Sequence, residues 1–218
     1  MKKIFLIGSC RIHRPFNCDN KHEYGEFNLY DCLNTKWYEK YFLGSLYCSN
    51  YIIQTLKYLI NKDLKNKNNI EVMDPQIKLD DNLFLKLCEN LYQSDIIIIE
   101  IATLKYIKNI TGFYISQEHN PKIRPICIIT EEELINNIKI IENLIEGIGK
   151  KVLFISHFNL NNINNRNTII DCLKKTAKYF FDPTTVINSL EQLEDINHYN
   201  FETEKIIMKK IHEYLSIM

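Results

Sequence analysis

No stretch of this chain approaches the about 18 consecutive apolar residues that a transmembrane helix needs. The first apolar run, Ile4-Phe5-Leu6-Ile7, is too short for the hydrophobic region of a secretory signal, so the expectation is a soluble, cytoplasmic protein. Charge of one sign is not in excess: 27 basic side chains face 27 acidic ones and the net charge is zero, which gives neither nucleic acid nor an anionic membrane a reason to bind. Seven cysteines, at positions 10, 18, 32, 48, 88, 127 and 172, are odd in number and contain no Cys-x-x-Cys pair. A disulfide framework and a zinc site are therefore not expected, and neither is any other metal.

What is present is a set of short apolar runs separated by helical patterns. Lys3-Ile4-Phe5-Leu6-Ile7 reads as a buried strand halted by Gly8-Ser9-Cys10. Residues 11–34, with Pro15 and Gly25, show no clear periodicity and read partly as loop. Helical spacing follows over 45–61 through Leu46, Tyr47, Tyr51, Ile52, Leu56, Leu59 and Ile60, and again over 80–92. Ile70-Glu71-Val72-Met73 suggests a short strand between them, and Asp95 to Ile101 is the strongest buried-strand signal in the chain.

Residues 111–130, with Gly112, Pro121 and Pro125, read as an excursion or hairpin that would serve as a lid or a surface loop. A helix with Glu131, Glu132 and Glu133 in its first turn runs to about Glu146, a strand spans 150–155, a helix covers about 168–179, a short strand covers 179–183, and an amphipathic helix closes the chain from Glu202. Alternating strands and helices over 218 residues fit a single α/β domain, long enough to bury roughly 70% of its unfolded surface. The expected architecture is a three-layer α/β/α sandwich with a mostly parallel sheet, whose ligand crevice lies beyond the carboxyl ends of the strands.

The chemistry-bearing residues gather at those ends. A cysteine on a tight strand-to-helix turn is a candidate nucleophile, and Arg11, His13 and Arg14 supply the positive surroundings that favour a thiolate. Near the other end, Asp195-Ile196-Asn197-His198 gives an Asp-x-x-His spacing in which the carboxylate can hold one ring nitrogen while the other faces a nucleophile. The competing expectation is that Asp195 merely caps a helix beside a solvated histidine. His157, Thr103, Lys105 and Tyr199 stand at or near strand ends and are candidate substrate contacts, His157 being equally readable as a satisfied structural histidine.

With those residues in view, Gly8-Ser9-Cys10 and Asp195-x-x-His198 resemble the first and last blocks of SGNH (GDSL-type) hydrolases, with cysteine in place of the serine. The match is nearer to the cysteine-bearing GSCFA-type and polysaccharide-biosynthesis acetyltransferase-like branch. The resemblance implies a flavodoxin-like sandwich, a catalytic Cys10, His198 and Asp195, and an oxyanion hole drawing on backbone near Ser9 and on Gly44. It also implies acetyl-CoA as co-substrate, its phosphates gripped by Arg11 and Arg14, and a sugar or nucleotide-sugar acceptor. Glu100-Ile101-Ala102-Thr103 stands where the family carries Gly-x-Asn-Asp, so acetyl transfer ranks ahead of ordinary esterase activity, with a non-catalytic glycan-binding module as the third alternative.

Overall fold

The computed structural model describes residues 2–17, 27–29, 48–70, 79–108, 112–115, 126–160, 163–195 and 198–218, without the side chains of residues 2, 10, 13, 14, 17, 27–29 and 115. Gly44 and the strand expected at 70–73 lie, wholly or for the most part, outside the described residues.

Among the described residues five strands form one sheet: β1 (Lys2–Ile7), β2 (Phe27–Leu29), β3 (Ile96–Ile101), β7 (Lys151–Ser156) and β8 (Phe180–Phe181), in the order β2-β1-β3-β7-β8. Every neighbouring pair is parallel, with Phe5 beside Ile97 and Ile97 beside Val152. Parallel strands need crossovers, and these are supplied by α1 (Cys10–Asn17), α2 (Ser49–Asn61), α3 (Asp81–Gln93), α4 (Glu131–Gly147) and α5 (Asn164–Thr176), with α6 (Phe201–Ile217) last.

The near-continuous apolar strands are explained by burial on both faces. Phe5, Ile7, Ile97, Ile99, Ile101, Val152 and Phe154 pack into one core with residues of α2, α3, α4 and α5, such as Leu56, Leu87, Ile138 and Leu173. The alternate residues Ile4, Ile96, Ile98, Leu153, Ile155 and Phe181 pack into a second core with Ile12 and Phe16 of α1 and Ile207, Ile211 and Leu215 of α6. Period-2 alternation thus sends successive side chains to opposite layers, and the chain is an α/β structure with helices on both faces of a parallel sheet.

The helix starts follow local chemistry. Asp80 accepts from the Leu83 N–H, Thr130 from the Glu133 N–H and Asn200 from the Thr203 N–H, each satisfying a donor that the helix itself leaves unpaired. Helix α1 follows the strand-to-helix turn expected at Cys10 and occupies the first part of residues 11–34, which read only partly as loop. Its Pro15 removes an internal hydrogen bond, but Ile12 and Phe16, four residues apart, lie on one face and bury against the sheet, and that packing outweighs the local penalty. Helix α5 begins at Asn164, earlier than the apolar pattern suggests.

Within the expected excursion, the described residues form a second, antiparallel sheet: β4 (Lys105–Lys108) lies between β5 (Tyr114–Ile115) and β6 (Cys127–Ile128). It begins before residue 111, and it is tied to α2, because the Gln54 side chain donates to the Tyr114 carbonyl and accepts from the Tyr114 N–H. Among the described residues no helix is long and apolar enough to cross a membrane. Cys48 and Cys88 are buried, and desolvation pushes their thiols up to about 12 and about 11. Such thiols are packing groups, as is the fully buried Cys172.

Candidate functional site

Because the sheet is parallel, the carboxyl ends of β1, β3, β7 and β8 lie along one rim, and the strand order reverses direction between β1 and β3. At that point β1 ends in Gly8-Ser9 and α1 begins at Cys10. The neighbouring strand contributes Glu100, a carboxylate with no solvent exposure in an otherwise aliphatic strand.

Glu100 holds the turn from both sides. Its Oε2 accepts the Ser9 backbone N–H at 2.7 Å, and its Oε1 accepts the Arg11 Nε–H at 2.6 Å. The Arg11 N–H in turn donates to Ser9 Oγ at 3.1 Å. Burial alone would raise the Glu100 pKa, but the Arg11 guanidinium and the Ser9 hydrogen bond outweigh it and hold the carboxyl below its ordinary value. Gly8 makes the close approach possible: a Cβ there would lie 2.7 Å from both Glu100 Cβ and Ile12 Cδ1. The residues flanking Cys10 are therefore locked by β3, and the backbone of the first helical turn has one geometry.

On the other side of β3, β7 ends at Ser156 and is followed by His157, which is 5% exposed. Its Nδ1 lies 2.8 Å from the Phe158 carbonyl oxygen, which can only accept, so Nδ1 carries the proton. Burial, then the positive charges of Arg11 and Arg166, push the His157 pKa down to about 3. The ring is thus neutral, with an unprotonated Nε2. The same Phe158 oxygen accepts from Arg166 Nη1 at 3.0 Å, and the guanidinium lies 5.8 Å from the centre of the Phe158 ring. Asn159 pins the segment that follows, its side chain pairing with the N–H and the carbonyl of Ile163 while its N–H donates to Thr184 Oγ1.

Just before α6 the residues on either side of 196–197 are drawn together: Leu193 and Tyr199 pair as an antiparallel bridge, the Glu194 N–H donates to the His198 carbonyl, and Asp195 grips His198 twice. Oδ1 accepts the His198 backbone N–H at 2.9 Å, and Oδ2 accepts from ring Nδ1 at 2.6 Å. Asn200, not Asp195, caps the following helix. The pair is partly solvated, with side chains 51% and 30% exposed. An exposed pair contributes at most about 1 kcal/mol to stability, so its geometry has its consequence in the orientation of the imidazole. With Nδ1 as donor, Nε2 carries the lone pair on the opposite side of the ring.

The structure brings these segments together at the level of the backbone and core. Helix α1, which starts at Cys10, packs against α6, which starts three residues after His198. Ile12 of α1 and Tyr199 share one core, and the Tyr199 ring lies 5.4 Å from that of Phe158. Tyr199 is buried, so its ring is part of the wall between the two histidine segments. The side chains of Cys10, His13 and Arg14 lie outside the described residues.

Other expected contacts serve the fold. Arg11 is buried and its Nε is engaged by Glu100. The Ser9 N–H donates to Glu100, so the oxyanion role expected of the backbone near Ser9 is corrected to exclude that donor. Thr103 Oγ1 accepts the Lys105 N–H, and exposed Lys105 opens β4, so this pair shapes the exit from β3 into the second sheet. Sequence reasoning placed Glu100 at a strand end without giving it a role, and it passed over Arg166 and Asn159. Only Glu100 carried a signal, since a charge inside an apolar strand must find a buried partner. Compared with protein-family models, with curated proteins and with solved structures, the chain matches none.

Proposed function

We propose that this chain is an acyltransferase of the SGNH-like, cysteine-bearing type, which moves an acetyl group from acetyl-CoA to a sugar in glycan assembly. The observation that carries the reading is the doubly held Asp195–His198 pair, just before a helix that packs against the helix begun by Cys10. The sheet order β2-β1-β3-β7-β8 supports a doubly wound, flavodoxin-like reading, in which the ligand would sit near the point where Ser9 and Glu100 meet.

In this reading His198 Nε2 takes the Cys10 proton and the resulting thiolate attacks the thioester carbonyl, forming a carbon–sulfur bond. The tetrahedral oxyanion is met by backbone N–H groups at the start of α1 and, as the resemblance implies, by Gly44. Collapse breaks the bond to the coenzyme A sulfur, which leaves with the proton held by His198 Nε2. The acceptor then attacks the acyl-cysteine, His198 takes its proton, and Cys10 is released as thiolate. Asp195 keeps Nδ1 protonated throughout, so that Nε2 is the nitrogen that exchanges protons. The buried Glu100 clamp holds the nucleophile's turn rigid while this happens.

Purified protein supplied with acetyl-CoA and a panel of sugars and amino sugars should release free coenzyme A in proportion to acetylated product. Cys10→Ala and His198→Ala should abolish the release. Turnover of nitrophenyl acetate with no coenzyme A binding would overturn the transfer reading in favour of an esterase, and activity unchanged in both variants would remove the site altogether.

A further inference from the structure

The proposed reaction uses His198 and leaves the other rim histidine without a task. His157 is only half satisfied: Nδ1–H donates to the Phe158 oxygen, whereas Nε2, buried at the end of β7, has no hydrogen-bond partner among the described residues. A buried nitrogen lone pair without a donor is destabilising, and such a group persists where a ligand or a water completes it. Its surroundings restrict the donor. Arg11 and Arg166 both act on the ring, and Arg166 makes no ion pair among the described residues, its hydrogen bond going to a backbone carbonyl. Glu100 is occupied by Arg11 and Ser9. Glu100 acts on Arg166 and on the ring as well, so among the described residues two guanidinium charges and one carboxylate surround the lone pair, a net positive charge. A protonated amine entering here meets like charge, whereas a hydroxyl donates to Nε2 without that penalty.

We propose that His157 Nε2 receives a hydroxyl of the acceptor, so that the acceptor is bound at this point as an alcohol and not as a protonated amine. This rests on the acyltransferase reading for the identity of the ligand as a sugar. His157 is a positioning group for the acceptor, and His198 remains the base. The ring stays neutral throughout the physiological range because Nδ1 is held by Phe158 and the site disfavours a second proton, so the acceptor position does not switch off in mild acid.

Long-range proton–nitrogen NMR on the wild-type chain tests this without requiring any activity. His157 is one of six histidines, and it is identified as a ring that keeps the neutral, Nδ1-protonated form at about pH 5. Titration with N-acetylglucosamine, which has hydroxyls and no ammonium, should move its Nε2 resonance in the direction of hydrogen-bond acceptance. Glucosamine in its ammonium form should do so only at higher concentration. His157→Phe, which keeps a ring and removes the acceptor, should weaken N-acetylglucosamine binding roughly tenfold. An Nε2 resonance that stays fixed at saturating N-acetylglucosamine, or one that responds more strongly to glucosamine, overturns the inference. Release of coenzyme A, assayed separately, distinguishes the two failures: transfer without any change at His157 sinks this inference alone, and a response at His157 without transfer sinks the acyltransferase reading alone.

Discussion

Two carboxylates near the rim of this sheet each hold a side-chain nitrogen at 2.6 Å, and they do opposite work. Glu100–Arg11 is sealed, with side chains 1% and 9% exposed, and its partners are a turn and a helix start. Asp195–His198 is open to water, joins residues three apart, and holds an imidazole by its near nitrogen. In the sealed pair the loss of solvation is severe, so neither partner can be removed without stranding the other, and the pair acts as a structural lock. In the open pair solvent screens the attraction, so stability hardly depends on it, and what it controls is which ring nitrogen carries the proton. Equal bond lengths, in other words, say little about role until burial is taken into account.

The sharpest way to break this comparison is to exchange consequences. Asp195→Asn should lower acyl transfer by up to roughly 10⁴-fold while shifting unfolding free energy by under about 1 kcal/mol, read by turnover and by denaturant melts. A large loss of stability with little change in turnover would reverse the assignment. Glu100→Ala should do the converse in stability, costing about 3–5 kcal/mol because Arg11 is left charged and unpaired in the core. Replacing both partners, Glu100→Leu with Arg11→Met, should recover much of that stability without recovering activity, since the turn that carries Cys10 is no longer held.

A smaller effect is expected from Gly8→Ala. The added methyl would meet Glu100 and Ile12 at distances no relaxed Cβ tolerates, so the variant should lose about 1–3 kcal/mol, and its transfer activity should fall with the displacement of the clamp. The pH dependence of folding sharpens the same contrast. His157 has an ordinary unfolded pKa of 6.5 and a folded value of about 3, so the unfolded chain binds a proton that the folded chain refuses. Its contribution is fully present above pH 6.5 and is lost as pH falls from there toward 3, with a slope of up to about 1.4 kcal/mol per pH unit. Glu100, held below its ordinary value, adds a loss only at lower pH, as it takes up a proton. His157→Phe should flatten the upper part of this acid limb in pH-dependent melts, and an unchanged slope would place the histidine in a different environment. The smallest effect belongs to Asn200→Ala, which removes the α6 cap for about 1 kcal/mol and should leave turnover nearly unchanged, since Asp195 and not Asn200 holds His198.

Several of these features are visible along the chain itself. Aliphatic runs bounded by turns mark β1, β3 and β7, because strands buried on both faces must be apolar throughout. The cap residues Asp80 and Thr130 announce their helices, and the spacing of Asp195 and His198 allows a turn in which one grips the other. All of these depend on neighbours within a few residues, which is why they are legible in one dimension. The turn at Gly8-Ser9 marks the start of helix α1, but its continuation through Pro15 is decided by the burial of Ile12 and Phe16 with sheet residues as distant in sequence as Phe181. Part of the excursion is docked on α2 through Gln54, another long-range contact with no local signature.

The order of residues by itself determined the central strands, most of the helices and that a carboxylate stands three positions before an imidazole. Only the folded chain decided that Glu100 closes on Ser9 and Arg11, 91 and 89 positions away, and that His157 is neutral with one nitrogen unanswered. The physical reason is that periodicity and capping are properties of local backbone geometry. Desolvation and charge pairing, by contrast, are properties of a neighbourhood that exists only once distant strands lie side by side.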